Sequence, residues 1–170
     1  MTQTTLAIRL GVAADAAGIS AVHDAAWRNT YRGIIEGKHL EKMIARRGPA
    51  WWKTMLTQGR STMVLEMLGT VAGYVTFGPN RIREAEEEGE IYELYLRPEY
   101  QGLGFGRALF TAARNELQRL SYHGVAVRAL SANTAATRFY AALGGKVVGT
   151  RHELLGRTVM PLTVYAWTDR

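Results

Sequence analysis

The hydrophobic pattern is clearest between Ile91 and Leu120. Residues 91–96 are mostly aromatic or aliphatic and stop before Pro98, which is typical of a β-strand. Three glycines follow within Gln101–Gly106, and from Phe105 apolar residues recur at every third or fourth position. The pattern predicts a strand, a glycine turn and a helix with one buried face. The predicted buried face is Phe105, Ala108, Leu109, Ala112, Ala113, Leu117 and Leu120.

The same criteria predict the other elements. A first helix follows Asp15 as its cap and buries Ile19, Val22 and Ala26, and a second helical region runs through Leu40 towards Trp51-Trp52. A last helix covers residues 134–143. The predicted strands are 6–10, 62–67, 71–77, 91–96, 125–130, 146–155 and 160–167. The order predicts an α/β (α+β) fold in which a mixed sheet is flanked by helices.

The glycine turn has two interpretations. It could simply reverse the chain, or it could let an anion approach the unpaired N–H groups at the helix N-terminus, with Arg107 adding positive charge. A dinucleotide fingerprint from Gly102 is excluded because Arg107 holds the place of its third glycine. A nucleoside-triphosphate loop is excluded because Gly145-Lys146 is followed by Val147.

Composition narrows the function classes. The chain has 170 residues, 47% hydrophobic and 21% charged, which predicts one soluble domain over 1–170. With no cysteine it has no thiolate metal site and no cysteine nucleophile, and its four histidines lack metal-ligand spacing, so no metal is expected. The net charge is +6, and the basic residues are scattered along the chain. This distribution argues against a nucleic-acid partner and suits the binding of a polyanionic small molecule.

Two blocks resemble the GNAT superfamily of N-acetyltransferases. Gln101-x-x-Gly104-x-Gly106, between a strand and a helix, is similar to the acetyl-CoA pyrophosphate loop of that superfamily. Residues 126–149, with Asn133, Phe139-Tyr140 and Leu143-Gly144, resemble its next strand and helix. The resemblance implies a mostly antiparallel seven-stranded sheet, about four helices, and a splay between the fourth and fifth strands.

The resemblance also implies a cofactor site for acetyl-CoA. Backbone groups of Leu94, Tyr95 and Leu96 would hold the pantetheine arm and the thioester. Asn133 would contact the cofactor, cap the following helix, or do both. The loop residues of the implied site are Gln101, Gly102, Leu103, Gly104, Phe105, Gly106 and Arg107. The glycine at position 145 departs from the family pattern, which often has an aromatic residue there, and we expect a change in packing rather than in catalysis.

Two side chains carry the implied chemistry. Tyr140 matches the family tyrosine that protonates the departing thiolate, and a phenol is protonated at neutral pH; the alternative is a core tyrosine. Glu93 shares a strand face with Ile91 and Tyr95, where a carboxylate needs a partner or a purpose. It is a candidate base for the amine proton, acting through water, and the alternative is a structural salt bridge or hydrogen bond.

The acceptor is implied only as a class. It would be the primary amine of a small molecule or a peptide N-terminus, reached by direct transfer in a ternary complex. The pocket candidates are Arg28, Tyr31 and Arg32, whereas Trp27, Trp51 and Trp52 are expected mainly in the core or an interface. The run of glutamates over 84–90 is interpreted as a solvated loop, or less simply as an attractor of cationic acceptors.

Four further expectations concern the whole protein. It is expected to be cytoplasmic because residues 1–10 lack the features of a signal peptide, and no apolar run is long enough to cross a membrane. No membrane or nucleic-acid partner is expected, and a homodimer is. The alternative to an enzyme is an acyl-CoA-binding regulatory module without turnover.

Overall fold

The structure, a computed structural model, describes residues 5–59 and 61–169. Seven strands form one mixed sheet in the order β1-β2-β3-β4-β5-β7-β6. The strands are β1 Leu6–Leu10, β2 Thr62–Met67, β3 Thr70–Pro79, β4 Gly89–Leu96, β5 Val125–Leu130, β6 Lys146–Leu155 and β7 Thr158–Trp167. The pairs β1–β2, β2–β3, β5–β7 and β6–β7 are antiparallel, and β4–β5 is parallel. The predicted fold class is confirmed.

The described residues contain five α-helices, one more than the rough number expected. They are α1 Ala16–Tyr31, α2 Gly37–Ala45, α3 Pro49–Thr57, α4 Phe105–Arg119 and α5 Thr134–Ala142. The additional helix arises because the predicted second helical region is broken at Gly48, and Pro49 starts α3. Proline suits the first turn of a helix, where its missing N–H would have no partner.

The chain divides into two compact units. The first contains the described residues up to Thr76 and Glu93–Ala113, and the second contains Phe77–Tyr92 and the described residues from Arg114 onward. The predicted face of α1 is buried in the core of the first unit. This core comprises Ala16, Ile19, Val22, Trp52, Leu56, Val64, Val71 and Tyr74. A smaller cluster in the second unit comprises Ile82, Ala85, Ala126 and Val164.

The parallel pairing of β4 with β5 is short. Its register covers Gly89 with Val125 and Glu90 with Ala126, whereas β5 continues to Leu130 beside β7. The two strands therefore splay, as the resemblance implied. Parallel strands that separate leave backbone N–H and C=O groups without a ladder partner, and such groups need another hydrogen-bonding partner.

Three details differ from the sequence predictions. Leu120 is 39% exposed because α4 ends at Arg119. Asp15 holds the N-cap position of α1, but its carboxylate does not cap that helix; it accepts from the backbone N–H of Val12 at 2.8 Å and pairs with Arg9. β4 begins two residues earlier than predicted, at Gly89, and this places Glu90 inside the sheet.

Within the described residues, the structure has neither a membrane-spanning helix nor a cluster of metal ligands. No helix in residues 5–59 and 61–169 has the length and apolar character that a bilayer crossing requires. In the same ranges, no three His, Cys, Asp or Glu side chains are grouped as metal ligands would be.

Candidate active site

The glycine loop follows β4 directly and leads into α4. A short turn of 3-10 helix, Pro98–Tyr100, brings the chain to Gln101, whose side-chain amide donates to the carbonyl of Leu96 at 3.4 Å. Gly102 and Gly104 have φ values of +78° and +86°. These angles lie in the left-handed region, which a residue with a Cβ enters only at an energetic cost. Glycine is thus needed at both positions to deliver the chain to the first residue of α4.

The loop suits a diphosphate group. A Cβ added at Gly102 or Gly104 would meet no heavy atom within 4 Å, so the backbone is open on that side. The first turn of α4 carries N–H groups that have no partner within the helix, and it holds the positive end of the helix dipole. Arg107, the third residue of α4, is exposed. Bare backbone, a helix N-terminus and an arginine are features that polyanion sites use.

The end of β4 is packed closely against β3. A Cβ at Gly73 would lie 2.5 Å from Leu96 Cδ2 and 2.9 Å from the carbonyl oxygen of Tyr95, so only glycine fits there. The N–H of Arg97 donates to the carbonyl of Ala72 at 2.9 Å. These contacts fix the position of the strand segment that the sequence analysis assigned to the pantetheine arm, of which Leu94 is the half-buried first residue.

Glu93 is the best-defined carboxylate of this strand end. Its side chain is 14% exposed. Oε1 accepts a hydrogen bond from Nη1 of Arg47, and Oε2 accepts one from the hydroxyl of Tyr74 at 2.8 Å. Both partners stabilise the ionised form of a carboxylate. The salt bridge and the hydrogen bond that were the alternative to a base are therefore present.

The three residues predicted to line the acceptor pocket lie in two different places. The hydroxyls of Tyr31 and Tyr95 lie 2.8 Å apart, and burial raises the pKa of Tyr31. Arg28 instead forms a two-fold ion pair with Glu41, at 3.0 Å for each hydrogen bond, beside a depression of about 340 Å³ that Arg32 also lines. Tyr31 therefore lies with the β4 residues, whereas Arg28 and Arg32 line the depression beside Glu41.

The predicted cofactor asparagine caps a helix. Asn133 holds the N-cap of α5, where its Oδ1 accepts from the N–H of Ala136 at 3.1 Å. The capping role weighed in the sequence analysis is thus present. The cap uses only the oxygen of the amide, and the Nδ2 group takes no part in it.

The candidate acid, Tyr140, lies in α5 and is 7% exposed. Its ring packs near Tyr165 and Trp167, with ring centres 5.9 and 6.0 Å away. A Cβ at Gly145 would come within 2.6 Å of the Trp167 ring, so that ring takes the space beside the position where family members often carry an aromatic residue. Gly145 therefore leaves room for the ring of Trp167.

Two residues of this site have little signal in the sequence. Arg47 lies in the α2–α3 connection, where nothing in the local pattern points to Glu93. Tyr74 could have been suspected, since its neighbours in β3 are mostly apolar and a buried tyrosine hydroxyl needs a partner. Burial raises the pKa of Tyr74 well above its usual range, which keeps the hydroxyl protonated as a donor.

The three tryptophans of α1 and α3, which were expected mainly in the core or an interface, differ in burial. Trp52 is 1% exposed and belongs to the core, whereas Trp27 and Trp51 are half-buried. His23 is fully buried, with its ring centre 4.8 Å from that of Trp27. Burial and the charge of Arg47 lower the pKa of His23 to about 4, so this histidine is neutral at physiological pH.

The glutamate run is not a simple solvated loop. Glu90 is fully buried in β4 and its Oε1 accepts from the N–H of Arg81 at 2.8 Å. Glu84 pairs with Arg151, and Glu88 accepts from the N–H of His123. The side chain of Asn80 ties the loop together through the carbonyls of Ile82, Ala85 and Glu87. Only part of the run faces solvent, because its last residue belongs to the sheet.

Comparison with known proteins identifies the family. The model of the acetyltransferase (GNAT) family matches residues 20–145. The chain is 28% identical over 142 residues to the uncharacterized N-acetyltransferase YuaI of Bacillus subtilis, covering 84% of this chain and 82% of YuaI. It is 27% identical to the L-amino acid N-acyltransferase MnaT of Escherichia coli, covering 82% and 78%.

A solved structure agrees in fold. The PaiA N-acetyltransferase from Thermoplasma acidophilum, crystallised with coenzyme A, matches with a TM-score of 0.75 and 19% identity over 94% of this chain and 98% of that one. This chain belongs to the GNAT family of acetyltransferases. It is an acetyl-CoA-dependent N-acetyltransferase, and the alternative of a binding module without turnover is not supported.

Proposed function

We propose that the protein transfers the acetyl group of acetyl-CoA directly to the primary amine of a small molecule or a peptide N-terminus, within a ternary complex. The observation that carries the proposal is the Gln101–Arg107 loop, with its two left-handed glycines at the start of α4. When bound, acetyl-CoA supplies a thioester whose C–S bond breaks as a C–N bond to the amine forms. No covalent enzyme intermediate is proposed, and the chain has no cysteine to form a thioester.

The loop residues would hold the cofactor. Gly102, Gly104 and the first N–H groups of α4 would bind the diphosphate, and Arg107 would neutralise part of its charge. Leu94, Tyr95 and Leu96 would offer their backbone to the pantetheine arm. Asn133, whose Nδ2 is not used by the cap, would contact the cofactor from α5.

Two side chains would move the protons. Glu93 would accept the proton that the amine loses, directly or through a water molecule, and its carboxylate is positioned for this by Arg47 and Tyr74. Tyr140 would donate its phenolic proton to the departing sulfur. The amine proton and the thiol proton are then both accounted for, and the two residues return to their starting states by exchange with solvent.

Two relatives support a narrower acceptor class. Those relatives are the L-amino acid N-acyltransferase of Escherichia coli and an L-methionine sulfoximine/L-methionine sulfone acetyltransferase of Salmonella typhimurium, 30% identical over 95 residues. We favour an acceptor with an α-amino group for this chain. Tyr31 would contribute to its pocket through the contact with Tyr95, and Arg28 and Arg32 would meet the more distant part of the acceptor.

Assembly and location stay predictions. We expect a cytoplasmic homodimer with one functional domain over 1–170. We expect no nucleic-acid or membrane partner, and these expectations are consistent with the family. Light scattering on the purified protein would give the mass in solution, and a monomeric mass would contradict the dimer.

The test is release of CoA thiol from acetyl-CoA, read with a thiol reagent, across amino acids, dipeptides, polyamines and aminoglycosides. The signal would come from the cofactor alone because the protein has no cysteine. We expect release that depends on one amine class, with intersecting lines when both substrates are varied. Parallel lines would contradict the ternary complex, and the absence of amine-dependent release would contradict the acceptor class.

A further inference from the structure

Arg47 is held in place by three groups. Its Nη1 donates to Oε1 of Glu93, and its guanidinium carbon lies 4.8 Å from the ring centre of Trp51 and 5.9 Å from that of Trp27. Ring faces attract cations, and guanidinium stacks on them better than ammonium does. The side chain of Arg47 is 31% exposed, so its charge is only partly screened by water.

The second oxygen of Glu93 is also occupied. The hydroxyl of Tyr74 donates to Oε2 at 2.8 Å, and this tyrosine is 0% exposed. The carboxylate therefore has a donor on each oxygen, one charged and one neutral. An approaching amine meets an anion whose nearest neighbour is a fixed cation. The other titratable groups that interact with Arg47 or Tyr74 are His23, Asp24, Tyr31 and Tyr95.

We propose that Arg47 determines acceptor specificity: it positions Glu93 as a carboxylate and selects against polycationic amines. The inference rests on the proposed function, because it requires that the acceptor amine approaches Glu93. A second cation beside Glu93 is repelled by Arg47, whereas an uncharged amine is not. Like-charge repulsion thus acts as a filter, and the carboxylate still attracts the amine proton.

The filter favours weakly basic amines. An α-amino group has a pKa of about 8, whereas an alkylamine such as a lysine side chain has a pKa of about 10.4. At neutral pH the uncharged fraction of the first is therefore about 10²-fold larger. A polyamine adds further positive charges that must approach the same arginine. Dipeptides and amino acids are accordingly better acceptors than spermidine.

The experiment compares Arg47→Met with Arg47→Lys and with Arg46→Met. Arg46 is an exposed neighbour, and its substitution removes the same charge from the same connection. For each protein, kcat/KM is measured by thiol release with a dipeptide and with spermidine between pH 6 and pH 9. Thermal melts monitored by circular dichroism establish that each variant is folded.

We expect the wild type to prefer the dipeptide, and Arg47→Met to reduce that preference by about tenfold or more, the size of a close charge–charge term. Arg47→Lys should keep most of the preference because it keeps the charge, and Arg46→Met should keep all of it.

Unchanged selectivity in Arg47→Met, while Glu93→Gln loses thiol release, would overturn this inference and leave the proposed function standing. Unchanged thiol release in Glu93→Gln would overturn the base role and the inference together. If Arg47→Met fails to fold, Arg47→Lys and Tyr74→Phe still test the inference. The inference requires that both retain the dipeptide preference, because both retain a cation beside Glu93, and loss of the preference in either folded variant would contradict it.

Discussion

The hydroxyl of Tyr31, the last residue of α1, lies 2.8 Å from the hydroxyl of Tyr95 in β4. The ring of Trp27, one turn earlier in α1, stands edge-on to Tyr31 and near Tyr95, with ring centres 5.0 and 6.2 Å away. Through these contacts the end of the first helix is joined to the strand segment that would hold the thioester. The acceptor and cofactor parts of the proposed site thus share a hydrogen bond.

Tyr31→Phe should therefore weaken acceptor use. We expect the acceptor KM to rise about three- to tenfold, because one hydrogen bond of about 1 kcal/mol is lost near the amine, with little change in the Kd of acetyl-CoA. Steady-state kinetics and calorimetry measure the two quantities. Tyr92→Phe, which removes a hydroxyl bonded to the carbonyl of Pro79 in the other unit, is the matched control. An equal rise of KM in both variants would contradict the pocket role.

Gly104→Ala tests the cofactor loop. The φ of +86° should strain an alanine by about 1 kcal/mol and shift the loop backbone, so CoA should bind several-fold more weakly. Gly69→Ala is the control, since Gly69 has a φ of +79° and open space in the β2–β3 turn. Both variants should lose similar stability, and only Gly104→Ala should lose CoA affinity. Equal CoA affinity in the two variants would contradict the loop assignment.

Tyr140→Phe tests the general acid. The variant keeps the ring packing against Tyr165 and Trp167, so acetyl-CoA should bind normally while kcat falls about 10²- to 10⁴-fold. Tyr165→Phe removes a neighbouring hydroxyl, which bonds the carbonyl of Thr137 at 3.4 Å, and should keep its activity. A change of less than about threefold in Tyr140→Phe would show that another group protonates the thiolate.

His23 should make the protein sensitive to acid. Its pKa of about 4 in the folded protein is below the ordinary 6.5, so the unfolded chain binds the extra proton between these values. Stability is then lost as the pH falls through this window, by about 2 kcal/mol between pH 7 and pH 5. Urea unfolding of the wild type and of His23→Gln between pH 7 and pH 5 measures this loss. The free energy of unfolding of the variant should depend less on pH. If the free energy of unfolding depended equally on pH in both proteins, the prediction of a neutral buried histidine would be contradicted.

Much of the fold follows from local pattern. All seven strands and the buried face of α1 could be predicted, since alternation and helical spacing record which side chains the core accepts. The break between α2 and α3 was missed because the apolar spacing continues across Gly48 and Pro49. The burial of Glu90 was missed because a charged residue at the start of a strand has the same local signal as one in a loop.

The site was predictable to a smaller extent. A local signal exists at Gly102, Gly104 and Asn133. The two glycines have the positive φ that the turn before α4 needs, and Asn133 caps the N-terminus of α5. The pairing of Arg47 and Tyr74 with Glu93 carries no such signal, since these donors approach it from segments 46 and 19 residues away. Such contacts depend on tertiary packing, which sequence spacing does not record.

The most direct test of the central claim is mass spectrometry of the acceptor after incubation with the enzyme and acetyl-CoA that carries a deuterated acetyl group. A dipeptide with a free α-amino group is the first acceptor to use. The account predicts the labelled acetyl group on the amine nitrogen, in an amount equal to the thiol released, and its loss in Tyr140→Phe. Thiol release with the label found only as free acetate would contradict transfer to an amine.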